Sequence, residues 1–305
     1  MTSTLLTDTP RPTVAAHALR TKAELRTALE PARREGMTIG LVPTMGFLHE
    51  GHLSLIRAAR AECDLVVMSL FVNPTQFGPS DDLDRYPRDE ERDLRLAAEA
   101  GADLVFAPPA SEVYAPDAST AVEVAAPLTG VLDGDPARRG SEHFRGVTTV
   151  VAKLFNVVGP GVAYFGQKDA QQAVVIRRMV RDLDFPVRIE VLPTVREPDG
   201  LAMSSRNAYL EPADRKRATA LSRALEAAEC EVRAGSLAAG LDAARRELAA
   251  AAIEPEYLEA RDAETLEPVD RLADRPVLVA VAARVGAARL IDNVLIQPAA
   301  ERPAT

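Results

Sequence analysis

The chain has 305 residues, 47% of them hydrophobic, enough to fill the core of one large domain or two ordinary ones. Its formal net charge of −9 and pI near 5.2 exclude an extended nucleic-acid-binding face, while leaving room for a local basic pocket that holds a small anion. Two cysteines, Cys63 and Cys230, exclude a disulfide framework and a thiolate metal site; with no leader-like apolar run near the start and no stretch of roughly eighteen uninterrupted apolar residues to span a membrane, a cytoplasmic location without membrane contact is expected.

Beyond a Pro/Thr-rich N-terminal stretch, Thr21-Lys-Ala-Glu24 has the form of a capping box, so a helix is predicted from there to about Gly36. Strands are predicted over MTIGLV (37–42), CDLVVMSLFV (63–72), ADLVFAP (102–108), GVAYFG (161–166) and VRIEVLPTV (187–195). Helical apolar spacing falls between them, over 51–61, 88–100, 145–158 and 169–183. Near-continuous apolar strands alternating with helices predict an α/β fold: a Rossmann-like parallel sheet with helices on both faces, binding its ligands beyond the strand C-termini. From about Pro212 to residue 252 the chain turns alanine-rich and charged. YLEARDAETL and the paired runs PVLVAVAARV and ARLIDNVLI follow, which predicts a smaller C-terminal α+β domain. Turn residues Glu197-Pro-Asp-Gly200 mark the boundary, dividing the chain into residues 1–195 and 196–305.

The richest segment is Leu41-Val-Pro-Thr-Met-Gly-Phe-Leu-His49-Glu-Gly-His52, an apolar strand that passes through a Pro/Gly turn into two histidines at the mouth of a helix. Three residues apart, His49 and His52 share one helix face. There they join unpaired backbone N–H groups and the positive end of the helix dipole, a combination suited to a polyphosphate. An H-x-x-H pair alone reads more readily as a helix cap or half of a metal site, and it is the PTMG context that favours the phosphate reading. Four further clusters follow: Phe71-Val-Asn-Pro-Thr-Gln-Phe-Gly78, Tyr86-Pro-Arg88 with Asp93, Phe165-Gly-Gln-Lys-Asp-Ala-Gln-Gln172, and Met203-Ser-Ser-Arg-Asn207.

PTMGFLHEGH, FVNPTQF, YPR, HFRGV, FGQKD and PTVREPDGLAMSSRN occur in the order and approximate spacing of the pantoate–β-alanine ligase family, within the nucleotidyltransferase superfamily that carries HIGH-type and KMSKS-type motifs. Residues 20 to 295 or so resemble that family. The resemblance implies an AMP-forming ligase that joins pantoate, ATP and β-alanine into pantothenate, AMP and pyrophosphate through a pantoyl adenylate. ATP enters as substrate with Mg2+, no prosthetic group is needed, and the metal ligands are left open. It also implies a homodimer with small-molecule substrates and no nucleic-acid partner, nucleotide and pantoate binding in 1–195, and a lid in 196–305.

Carried over residue by residue, the family pattern makes His52, His49 and Lys168 catalytic. ATP contacts fall on Pro43, Met45, His49 and His52 in the first motif and on Gly166, Lys168 and Asp169 in the second. Val195, Met203, Ser204, Ser205 and Arg206 complete them. Pantoate and β-alanine fall to Gln76 and Gln172, whose amides can both donate to and accept from a ligand oxygen. Asn73, Tyr86, His143 and Arg206 are weaker candidates for the same cavity. Each has an ordinary reading beside the functional one: a solvated lysine at 168, a helix cap at Asp169, a polar turn at 203–206, a backbone-bonded glutamine at 172, a solvated carboxylate at Asp93. The chain departs from the pattern where Gln167 replaces a glutamate, Ala170 an aromatic and Arg92 a residue that is often acidic. A related nucleotidyltransferase and a catalytically silent nucleotide-binding paralogue are the competing readings.

Overall fold

A computed structural model describes residues 18–79 and 81–298; the N-terminal Pro/Thr-rich stretch lies outside them. The first half is built on six parallel strands, β1 (Ala18–Leu19), β2 (Ile39–Thr44), β3 (Leu65–Leu70), β4 (Leu104–Phe106), β5 (Val162–Gly166) and β6 (Arg188–Leu192), in the order β1-β4-β3-β2-β5-β6. Successive strand residues point to opposite faces, and here both faces are covered, which is why the strands read as unbroken apolar runs. Leu41, Val67, Ala163 and Phe165 pack on one side with α1 (Lys22–Arg34) and, as they follow, α5 (Ser141–Val158) and α6 (Ala170–Asp182). Val42, Val66, Met68 and Tyr164 pack on the other with α2 (Glu50–Glu62) and α3 (Glu90–Ala100).

The capping box forms as read: Glu24 N donates to Thr21 Oγ1 at 3.1 Å and Thr21 N to Glu24 Oε2 at 2.9 Å. Strand β1 and helix α4 (Ala110–Val113) were not predicted, and the start of α5 was misplaced. Helix α4 is too short to show a period, and α5 begins at Ser141 rather than at 145, so His143 sits in its first turn. The chain runs from β2 through β3 to β4 on one side of the sheet and then continues to β5 and β6 on the other. The topological switch therefore lies between β2 and β5, whose C-terminal ends deliver the histidines and Lys168.

Three helices, α7 (Pro212–Ala218), α8 (Ala220–Arg233) and α9 (Leu237–Ala250), precede an antiparallel sheet of β7 (Pro255–Asp262), β8 (Val277–Val285) and β9 (Ala288–Ile296). Val277, Val279, Val281 and Ala283 of β8 face the helices. Leu278, Ala280 and Ala282 join Tyr257 against Leu132, Phe144, Ala170 and Val174 of the first half. Burial on both faces explains the apolar run of β8 despite its antiparallel pairing. It also seats the second sheet against the end of the first that carries the motifs. Two ion pairs pin this junction, Arg289 to Asp133 at 2.9 Å and Arg138 to Glu259 at 3.1 Å. No helix among the described residues is long and apolar enough to cross a membrane.

Candidate active site

The turn after β2 is conformationally costly. Gly46 has φ +86° and Phe47 φ +50°, and the non-glycine residue alone costs about 1–3 kcal/mol there. The left-handed φ at position 46 favours glycine, and a Cβ there would also press on Leu70 Cδ1 at 2.6 Å. What holds the turn is Asp93. Its side chain is fully buried and its two oxygens accept from Phe47 N at 2.6 Å and Leu48 N at 2.7 Å. Hydrogen bonds to a charged group contribute about 1.5–3 kcal/mol each, so two of them outweigh the strain. Asp93 is thus neither solvated nor free: burial pushes its carboxyl up, against the pull of the two amides. Arg92 lies 5.4 Å above the Phe47 ring, with one buried nitrogen lacking any hydrogen bond among the described residues.

Beyond this turn His49 is the N-cap of α2, and His52 stands in its first turn, their ring centroids 4.0 Å apart. Gly51 between them has a steric reason, since a Cβ there would lie 2.9 Å from His49 Cε1. The His49 backbone N–H donates to His52 Nδ1 at 3.3 Å, so the His52 proton sits on Nε2. Burial, reinforced by the charge of Lys168, lowers the His52 imidazole from 6.5 to about 4. Burial together with His52, Lys168 and Arg92 lowers that of His49 to about 2. Each ring at neutral pH is therefore an uncharged, one-proton donor. His49 Nδ1 is buried with no partner among the described residues.

A pH prediction follows from these directions. Below pH 6.5 the unfolded chain takes up protons on His49 and His52 that the folded chain refuses, so folding stability declines as pH falls from about 6.5 towards 4. The imidazole NMR signals of both residues are expected to stay at neutral positions from pH 8 down to pH ~5. A transition near pH 6.5 in either ring of the native protein would show that the site carries imidazolium instead.

After β5, a single turn over Gln167–Asp169 leads into α6. Lys168 Nζ makes no hydrogen bond or ion pair among the described residues and lines the cavity at the strand ends. Asp169 occupies the N-cap position of α6, yet its side chain makes no capping bond, and it lines the same cavity. The backbone-bonded glutamine proves to be the neighbour of the one considered: Gln171 Nε2 donates to the carbonyls of Leu128 and Val131, at 2.8 and 2.7 Å. Gln172 instead faces the ligand space.

Two contiguous cavities share Met45, Gln76, Asp169 and Gln172 in their walls. The first, about 150 Å³, adds Pro43 and His52 together with Phe71, Val147 and Phe165, so polar side chains and an apolar wall share one space. The second adds Lys168 and Arg206. Gln76 is buried; its Oε1 accepts from Asn73 Nδ2 at 3.1 Å, leaving its amide nitrogen against Met45 Sδ at 3.4 Å. His143 donates from Nδ1 to Gln76 O at 2.7 Å, and Arg139 donates to its Nε2 at 3.3 Å. Burial, with Arg139 adding to it, lowers its imidazole to about 4. Asn73 and His143 thus brace Gln76, and Tyr86 is buried in the wall of the first cavity.

The 203–206 loop folds back onto the histidine segment. Met203 N donates to Val195 O at 3.0 Å, and Ser205 Oγ to Phe47 O at 3.3 Å. Ser204 Oγ accepts from Arg206 N at 3.2 Å. Both hydroxyls are therefore engaged within the loop and its support. Arg206 forms a two-pronged pair with Asp82, at 2.9 and 2.8 Å, below the Tyr86 ring. Gly166 ends β5 with open space where a Cβ would be. Of the expected residues, Pro43, Met45, His52, Gln76, Lys168, Asp169, Gln172 and Arg206 line these two cavities, and Ser204 lines an adjoining one with Lys168 and Arg206, whereas His49, Gly166, Val195, Met203 and Ser205 are in the walls of neither of the two. Arg139, Asp82, Asp292 and Asn293 were missed; for the last two the signal was a pair of adjacent polar residues inside the apolar run ARLIDNVLI. Two of the three departures are accommodated: Gln167 Nε2 donates to Asn293 Oδ1 at 3.0 Å, and Ala170 is packed in the junction between the halves, whereas Arg92 keeps a buried nitrogen without a hydrogen bond among the described residues.

The profile of the family described as pantoate-beta-alanine ligase matches residues 17–295. The chain is 55% identical over 282 residues to pantothenate synthetase of Moorella thermoacetica, covering 92% of this chain and 98% of that one. The crystal structure of pantothenate synthetase from Thermus thermophilus superposes with a TM-score of 0.86 at 50% identity, covering 92% of this chain and all of that one. The pantoate-beta-alanine ligase from Francisella tularensis, complexed with beta-gamma ATP and beta-alanine, superposes with a TM-score of 0.77 at 31% identity, covering 92% and 98%.

Proposed function

The chain belongs to the pantoate–β-alanine ligase family, and on that premise we propose how its residues divide the work. It condenses (R)-pantoate with β-alanine, consuming ATP and yielding pantothenate, AMP and pyrophosphate. In our reading a pantoate carboxylate oxygen attacks the α-phosphorus of ATP and pyrophosphate leaves. The β-alanine amine then attacks the acyl carbon of the pantoyl adenylate, and AMP departs with the attacking oxygen as the amine sheds its proton. Catalysis of the first step is chiefly positioning and neutralisation of charge on phosphate oxygens. His52, whose proton is on Nε2, and His49 donate to those oxygens, while Lys168 follows them with a mobile ammonium. Pro43, Met45, Gly166, Asp169 and Val195, with the 203–206 loop, enclose the nucleotide. For phosphate to reach Arg206, Asp82 must give way.

The observation that carries this reading is the meeting of polar side chains and an apolar wall beside His52, with Lys168 in the wall of the adjoining cavity. Gln76 and Gln172 would hold the pantoate hydroxyls and carboxylate there, with Phe71, Val147 and Phe165 against its methyl groups. Among the described residues no group of three or more His, Cys, Asp or Glu side chains forms a metal cage. Asp169, which lines the cavity, would be the protein carboxylate to hold a magnesium ion that enters with ATP, since Asp93 is committed to backbone amides. Bound there, the ion would supply positive charge to the triphosphate. Division near residue 195, with 196–305 acting as lid, homodimerisation, a cytoplasmic location and the lack of a nucleic-acid partner belong to the same reading.

Oxygen labelling tests the route. Pantoate carrying heavy oxygen in its carboxylate is expected to deliver one label to AMP and none to pyrophosphate. Label in inorganic phosphate with ADP as coproduct would establish an acyl phosphate instead. Unlabelled AMP from a working enzyme would refute the adenylate.

A further inference from the structure

We propose that Asn293, in the C-terminal sheet, is a positioning residue for adenylation that acts through Lys168, and that with Asp292 it keeps the two nucleotide loops in register. The inference rests on the reading that Lys168 serves the adenylation step.

Asn293 is 5% exposed and committed to the 166–169 turn. Its Nδ2 donates to Gln167 O at 3.0 Å and to Lys168 O at 2.9 Å, and its Oδ1 accepts from Gln167 Nε2 at 3.0 Å. Both N–H groups of the amide are thus used, and a flipped amide would set its oxygen against two carbonyls. The lysine keeps a free ammonium while its backbone is fixed from the other half of the molecule. Asp292, one residue earlier and on the opposite pleat, pairs with Arg196 at 2.6 and 3.1 Å. Arg196 also donates to Gly200 O at 3.1 Å. Residues 196 and 202 pair across the turn that leads to Met203 and Ser204. One step of β9 therefore grips the Lys168 turn with one side chain and the base of the 203–206 loop with the next.

Two adjacent buried polar side chains in an otherwise apolar strand cost desolvation unless fully partnered. Both are, and both partners lead to nucleotide loops. Losing the Asn293 amide frees two carbonyls and lets the lysine backbone drift. A misplacement of about 1 Å at a reacting centre costs on the order of 10²-fold in rate.

The test compares the unaltered protein, Lys168→Ala, Asn293→Ala and the double variant in two assays: pantoate-dependent ATP–pyrophosphate exchange, and conversion of supplied pantoyl adenylate by β-alanine. Asn293→Ala should slow exchange roughly 10- to 100-fold while leaving acyl transfer near its original rate, and in the Lys168→Ala background it should cost nothing further. Losses that multiply in the double variant, or a loss shared by acyl transfer, would make Asn293 a general structural residue and overturn the inference. Undiminished exchange in Lys168→Ala would instead overturn the reading of the lysine, and Asn293 would not act through it. If Asn293→Ala does not fold, Asn293→Asp, nearly the same size, presents acceptors to both carbonyls and should show the same split; full exchange in that variant overturns the inference equally.

Discussion

Replacing His52 with alanine is expected to lower the rate of adenylation by on the order of 10²–10³, with a much smaller change in the KM for ATP. The expectation depends on the state of the ring. Because burial keeps His52 uncharged and its Nδ1 is occupied by the His49 amide, it has one donor to offer, from Nε2. A neutral donor aimed at an oxygen that gains charge only as the α-phosphorus is attacked acts on the transition state more than on bound ATP, so the loss falls on kcat. His49→Ala should fall in the same direction. Stability changes should be modest, since His52→Ala leaves one amide at a helix N-terminus without its partner, a cost of about 1 kcal/mol. Near-normal exchange rates in both variants would remove the histidines from the mechanism.

Lys168→Ala is expected to reduce pantoate-dependent ATP–pyrophosphate exchange by on the order of 10³, while supplied pantoyl adenylate is still converted by β-alanine at close to the original rate. Charge at the site makes the effect large. With both histidines neutral and Arg206 paired to Asp82, Lys168 is a cation with no competing partner among the described residues that lines the cavity. Pyrophosphate has left before the second half-reaction, so the ammonium has little left to stabilise there. Lys168→Arg should recover only part of the loss, because a planar fork on this short turn cannot follow phosphate oxygens as a flexible point charge does. Equal damage to both half-reactions would show that the lysine supports the fold of the site rather than phosphate transfer.

Much of this was legible along the chain. The alternation of apolar runs with helical spacing gave a parallel sheet covered on both faces, and the strand-to-turn-to-helix pattern put His49 and His52 at a helix mouth. Those properties are set by near neighbours: side-chain period, turn chemistry and caps act over a few residues. Motif order carried the family, and with it the candidate residues.

Tertiary structure alone decided what those residues are able to do. The sequence could not say whether the imidazoles are charged, because burial and the approach of Lys168 determine that. Nor could it separate Gln171, which bonds the backbone of Leu128 and Val131, from Gln172, which faces the cavity; adjacent helix positions differ only in what the rest of the chain brings to each side. Asp93 read as one acidic residue among several until Phe47 and Leu48 were found on its two oxygens. Gln167 was a bare departure from the family pattern until Asn293, 126 residues away, met its amide. Local order is written in spacing along the chain, whereas protonation, partnering and access to ligand depend on desolvation and contacts between segments that are distant in sequence, and only the folded arrangement fixes them.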